Sequence, residues 1–381
     1  MDIGAYLEIR AIRLIRNLQL IYFRILKYLM RKLIIITSLI FLSAGCNPLS
    51  KSLPVGVIKS LNGGADWQFA NIIKNGNGAS LSALSISRLG FDPKAREVVY
   101  VGSYTGGLYK SEDSAGSWSN VLSKIYVYDF VISPIDSKII YAAGSYADHG
   151  KVLKTTDGGG SWNQVYNEET VTNPVRAIAL NPQNPNQVLI GLAAGNLIKS
   201  NDGGITWQLV KNFGDQINRV LWQNNNIYVL VKTKGLFKSG DLGANFTELT
   251  ASLNQTYSLG GASYNSNTVD AYSQLYVDFT SPSLIYLTST KNLYKTTNEG
   301  QNWNQLNLPV KPTTSLARAV AVAKSSSNIV YTSVGSTVYK SLDGGQSWQT
   351  QGLTSGGIIN FILIDPQLPQ IVYAGIYTTQ Q

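Results

Sequence analysis

Cysteine occurs once in this 381-residue sequence, histidine once and methionine twice, and charged side chains make up only 14% of it. The single thiol, Cys46, excludes an intrachain disulfide. The single imidazole, His149, cannot be placed in a triad, and neither a nucleophile elbow nor a phosphate-cradling glycine loop occurs. The formal charge of +9 points to a basic protein until it is divided along the chain: residues 1–45 hold seven basic and two acidic groups, leaving 24 and 20 in the rest. No dense Lys/Arg stripe remains to neutralise phosphates, which removes nucleic acid from the partners. The apolar stretch at residues 33–42 is too short to span a bilayer.

That stretch lies in MRKLIIITSLIFLSAGC, residues 30–46, which has a basic start, an apolar middle and small residues before the cysteine, the layout of a secretory signal. Leu42-Ser43-Ala44-Gly45-Cys46 resembles a bacterial lipoprotein cleavage box, with its large apolar residue one place earlier than in the commonest form. The resemblance implies lipidation of Cys46 and a membrane-anchored protein of the bacterial envelope. Asn47 stands where Asp often signals inner-membrane retention, which favours the outer membrane or cell surface. Residues 1–45 are read as the signal region, with Met30 as an alternative start, 46–54 as a lipid-anchored linker and 55–381 as one folded domain.

What the domain has in quantity is repetition. KSLNGGADW, KSEDSAGSW, KTTDGGGSW, KSNDGGITW, KSGDLGANF, KTTNEGQNW and KSLDGGQSW align without gaps from Lys59, Lys110, Lys154, Lys199, Lys238, Lys295 and Lys340. Their ninth residues (Trp67, Trp118, Trp162, Trp207, Phe246, Trp303, Trp348) follow one another at 51, 44, 45, 39, 57 and 45 residues, and a period of that size means a repeat architecture. Within one period, RAIAL, QVLIGL, LIKS and WQLV are short runs separated by Gly, Pro and Asn turns, which read as four antiparallel strands. The chain ends on two strands without the motif and the domain begins on a motif without the two strands before it. Joined, they complete a unit. The expectation is an all-β fold, a seven-bladed β-propeller of four-stranded antiparallel blades closed by both termini in one split blade.

The repeat resembles the Asp-box, or BNR, motif S/T-x-D-x-G-x-T/S-W of sialidases, xyloglucanase-type glycosidases, sortilin-like receptor domains and photosystem II assembly-factor-like propellers. In that family the box is the turn between the third and fourth strands. The resemblance implies structural roles for Asn62, Asp113, Asp157, Asp202, Asp241, Asn298 and Asp343: the fourth residue accepts backbone N–H bonds, glycine supplies positive φ, and the aromatic packs back on its own hairpin. One carboxylate at the fourth position of each loop, replaced by Asn in two copies, is too few for calcium, so no metal or other cofactor is expected. The seven lysines read as solvated strand ends.

If one face carries these turns, the channel mouth on the other is the working face. Counting back from each first turn puts Ser87, Tyr128, Arg176, Arg219, Ser273, Arg318 and Asn360 at the start of the inner strands, with Arg88 beside the first. Four of the five arginines beyond residue 45 fall there, so Arg88, Tyr128, Arg176, Arg219, Arg318 and Asn360 are the candidate partner-binding residues. The alternative is that each arginine pairs with an acid such as Asp129, Asp215 or Asp278. Tyr104, Tyr146, His149, Lys234 and Lys291 can line the same mouth. Residues 250–272 form a polar insertion on this face, either a lid, a partner contact or a decorated linker.

A sialidase needs three arginines, a Tyr–Glu pair and an Asp acid; its Arg-Ile-Pro motif is absent here and no Glu lies near a ring position. A xyloglucanase-type enzyme uses two carboxylates across a cleft between two propellers, of which this chain has one. The expected function is therefore a non-catalytic platform for an envelope protein or glycan, acidic in character, with no catalytic residues. A glycoside hydrolase of the cell envelope is the alternative.

Overall fold

The structure is a computed structural model that describes residues 55–74, 79–253, 271–290, 292–310, 317–351 and 357–378. The signal region, Cys46, Lys291 and most of the 250–272 insertion lie outside them. Leu53–Gln381 is one compact unit.

The strands fall into seven antiparallel four-stranded sheets. In chain order the first strands of the blades are Ile86–Phe91, Tyr126–Ile132, Val175–Asn181, Ile217–Gln223, Tyr272–Val277, Ala317–Ala323 and Ile358–Ile364. Each contacts the next, and the last returns to the first, so together they line a central channel. In the seventh blade, Ile358–Ile364 and Val372–Tyr377 are completed by Val57–Ser60 and Gln68–Phe69 from the other end of the chain, in the register Val57↔Gly375 to Ser60↔Val372. The protein is a seven-bladed β-propeller with the split blade the sequence predicts.

Its core is distributed. Seven apolar clusters occur among the described residues, each between two neighbouring blades. Tyr100, Leu108, Val127, Phe130 and Ile140, for example, join the first blade to the second. No blade has a core of its own, which is why the repeats stand only as a ring.

The nine-residue repeat forms the turn between third and fourth strands. In the copy from Lys154, the Thr155 hydroxyl donates to Asp157 Oδ1 (2.6 Å) and accepts from the Gly159 N–H (3.0 Å), while the Ser161 N–H and hydroxyl donate to the two Asp157 oxygens. The same pattern surrounds Asp113, Asp202, Asp241 and Asp343. Asn62 and Asn298 reproduce it through their carbonyl oxygens. Two successive left-handed residues close each turn, and where glycine is missing Ser114–Ala115, Leu242 and Glu299 adopt positive φ instead.

These bonds depress the carboxylates. The Thr155 hydroxyl, then Ser161, hold Asp157 well below the usual range, and Asp202 and Asp343 are depressed by Thr206 and Ser347 respectively. Asp241 is lowered to about 2, first by the Asn245 backbone N–H. At Asp113 burial acts to raise the value, and the bonds from Ser117 and Ser111 outweigh it to leave about 2. Groups depressed on folding stabilise the native state above their unfolded value near about pH 4, and that contribution is lost as pH falls through the folded values. The urea midpoint should therefore fall steadily below about pH 4; a flat acid limb would contradict the turn chemistry.

Two expectations for the repeat need correction. The tryptophans do not merely pack on their own hairpins: the indole N–H of Trp118, Trp162, Trp207 and Trp303 donates to Ala70, Val121, Val165 and Leu249, carbonyls of the preceding blade, at 2.7–2.8 Å. The lysines are not simply solvated. Lys59, Lys154, Lys199, Lys295 and Lys340 donate to the fifth-residue carbonyl of the following blade's turn (Ser114, Gly203, Leu242, Gly344, Gly63), and Lys238 pairs with the Glu299 carboxylate at that position. Tyr141, Tyr286, Tyr331 and Tyr373 donate to the same carbonyls, with a lysine over each ring. A Lys–Tyr clasp thus ties blade to blade around the outside of the channel. An ammonium on a stem long enough to cross an interface suits a backbone carbonyl, which has no charge to demand a fixed geometry.

Candidate functional site

Every inner strand slips register with its neighbour near its start. The slip falls between Ile86 and Arg88, Val127 and Asp129, Val175 and Ala177, Ile217 and Arg219, Tyr272 and Gln274, Ala317 and Val320, and Ile359 and Phe361. A bulge leaves one residue without a ladder partner and re-aims the side chains around it. The positions at which the ladder register steps include Ser87, Tyr128, Arg176, Asn218, Ser273, Arg318 and Asn360, and all seven line one cavity of about 370 Å³ at the channel mouth. Six were placed by the sequence. In the fourth blade the equivalent residue is Asn218, and Arg219 stands one step further along the strand.

Arg219 belongs to a deeper tier with Arg88 and Asp129. Asp129 is 2% exposed and lies between the two guanidiniums, 3.2 Å from Arg88 Nε and 3.1 Å from Arg219 Nη1. The Phe130 and Ile178 N–H groups also donate to it. Arg88 stacks on Phe361 with 4.9 Å between the guanidinium carbon and the ring centre.

The upper tier is different. Arg176 lies over the Tyr128 ring at 4.6 Å, and Tyr104 packs against both Tyr128 and Tyr377. Neither Arg176 nor Arg318 has an acid within ion-pair distance among the described residues, and Arg318 Nε is buried without a partner. Burial lowers the Arg318 pKa, and burial raises that of Tyr104 against the pull of Arg176. The pairing alternative therefore holds for Arg88 and Arg219 and fails for Arg176 and Arg318. Asp215 and Asp278 are engaged elsewhere, by Thr233 and by Thr280 and Ser281.

Of the second-turn residues, Tyr104 lines the cavity and Tyr146 is exposed elsewhere. The His149 Nδ1–H donates to the Glu168 carbonyl at 2.8 Å. Lys232 rather than Lys234 reaches the cavity. Arg88, Arg176, Arg219, Arg318 and Lys232 thus face a space whose lining, among the described residues, contains no Asp or Glu. No cluster of potential metal ligands occurs among the described residues. A space with this lining attracts anions and orients them by guanidinium forks, with tyrosine rings at hand for an apolar or sugar face.

No protein-family model matches the chain. A xyloglucanase of Hypocrea jecorina is 27% identical over 184 residues, which is 42% of this chain and 21% of that protein. The chain spans about a fifth of the length of the curated relatives it matches. Among solved structures, the GH74 enzyme of Niastella koreensis superposes with a TM-score of 0.61 at 18% identity, covering 77% of this chain and 51% of that one. YCF48 from Cyanidioschyzon merolae superposes at 0.58 and 14% identity over 77% and 96%, and YCF48 bound to D1 peptide at 0.53 and 16% over 78% and 94%. At these identities the superpositions establish the propeller and leave its chemistry to the site.

Proposed function

We propose that this protein is a non-catalytic binding propeller, built on Asp-box turns, that captures an anionic group of an envelope protein or glycan at its channel mouth. The observation that carries the reading is the lining: four arginines and a lysine converge on one cavity that has no carboxylate among the described residues, and two of those arginines have no acid within ion-pair distance among them. A neighbouring fold that binds a peptide, YCF48 with D1 peptide, supports it. Similarity to xyloglucanases supports the second reading, a glycoside hydrolase. Hydrolysis needs a paired acid and base, whereas the one acid beside this cavity, Asp129, is buried and saturated by four donors. Cys46 is the proposed lipid attachment point, and incorporation of a labelled fatty acid that persists in Cys46→Ser would refute it.

Fluorescence anisotropy with a polyglutamate peptide and with oligogalacturonate, at low and high salt, tests the mouth. Arg176→Ala/Arg318→Ala should weaken binding about 100-fold, equivalent to about 2.7 kcal/mol, with the folded ring unchanged by circular dichroism. Unaltered affinity in that variant sinks the proposal. Release of reducing ends from xyloglucan by the unsubstituted chain would replace it with the hydrolase reading.

A further inference from the structure

Beneath the mouth the channel narrows at Arg88, Asp129 and Arg219, and a second cavity of about 250 Å³ opens below. Arg88, Arg219 and Gln274 line both spaces, so the two chambers meet at this waist. Its walls mix apolar side chains such as Leu221, Val320 and Ile362 with Gln223, Gln274 and Tyr276.

Charge does not balance at the waist. Two guanidiniums share one carboxylate, and each oxygen of Asp129 already accepts two bonds: Oδ1 from Phe130 N (3.0 Å) and Arg88 Nε (3.2 Å), Oδ2 from Ile178 N (3.2 Å) and Arg219 Nη1 (3.1 Å). Arg88 Nη1 and Arg219 Nε remain, both buried and without a hydrogen-bond partner. Arg219 is 7% exposed. A buried unpaired donor is costly, and a buried unpaired charge more so.

We infer that the waist binds one monovalent inorganic anion of the halide class between Arg88 and Arg219. One negative charge neutralises the excess of one positive charge, and a spherical ion can accept from both orphaned N–H groups at once. Sulfate or phosphate, carrying a second charge that the single excess cation does not match and a tightly held hydration shell, is disfavoured beside groups buried this far. Burial, then repulsion from Arg219, lowers the Arg88 pKa to about 10 despite Asp129, as an uncompensated positive field requires. Arg88 and Arg219 also line the mouth, but the two readings are told apart by their tests, the mouth by Arg176 and Arg318 and the waist by Arg88 and Arg219.

Chloride NMR line broadening by the full chain tests it. The expected result is excess broadening that sodium bromide removes saturably and sodium sulfate at equal ionic strength does not. Arg88→Gln and Arg219→Gln should each abolish the saturable, bromide-sensitive excess, and replacing the exposed Lys74, which lines neither cavity, by Ala should keep it. Broadening that survives in both glutamine variants, or that is lost equally in Lys74→Ala, overturns the inference, as does equal competition by sulfate. Crystals of the unsubstituted chain soaked in bromide decide the matter even if those variants do not fold: an anomalous peak between Arg88 and Arg219 is expected, and its absence there refutes the site.

Discussion

Replacing Asp129 by Asn lowers the unfolding free energy by about 3–5 kcal/mol, read as a fall in the urea midpoint. The residue is 2% exposed and, among the described residues, is the only acid within ion-pair distance of Arg88 and Arg219, so its neutralisation strands two cations. It also ties four blades together, because Arg88, Asp129 and Arg219 come from the first, second and fourth, and the Ile178 N–H brings in the third. The loss should be largely recovered when Arg88→Met and Arg219→Met accompany Asp129→Leu, since an apolar replacement of the whole group leaves no orphan. A change under about 0.5 kcal/mol in Asp129→Asn, typical of a surface site, would mean that the waist is more hydrated than its geometry implies.

Trp118→Ala should cost a similar amount, about 3–5 kcal/mol, by leaving a cavity between the seventh and first blades. Trp118 is fully buried, its indole N–H donates to the Ala70 carbonyl at 2.7 Å, and the connection through Ile72 and Lys74 bonds to its backbone. Trp118→Phe keeps most of the volume and loses the hydrogen bond, for about 1 kcal/mol. The chain already contains that substitution at Phe246, which packs on Phe213 and needs no acceptor. Chemical denaturation of both variants separates volume from bond: equal losses would show that the carbonyl, not the ring, governs the interface.

The seven turns, the four strands per blade and the split closure were legible in the sequence because each is local and repeated. The inter-blade roles of the tryptophans and lysines were not, because a motif read copy by copy says nothing about the neighbour 40 or more residues away. At the mouth, counting back from the turns placed six bulge residues and missed Asn218, since its strand is one residue out of step. A better signal was present: Ser87, Tyr128, Arg176, Asn218, Ser273 and Asn360 each directly follow a buried large apolar residue, namely Ile86, Val127, Val175, Ile217, Tyr272 and Ile359. Asp129 was noted as a possible partner for the arginines. That it serves two of them and none of the others depends on distances across the channel, which no pattern along one strand encodes.

The split blade also fixes an order of events. Val57–Ser60 and Gln68–Phe69 are made before the strands of the other six blades, yet the strand that must lie beside Val57–Ser60 is Val372–Tyr377, which follows all of them. Through synthesis the early pair carries an open edge with Ile58 unburied, a surface that invites pairing with another chain. The contact that completes the circle is thus among the longest-range in the molecule, and long-range pairing is slow. A nascent chain stalled a few dozen residues short would hold six nearly finished blades and no closed protein.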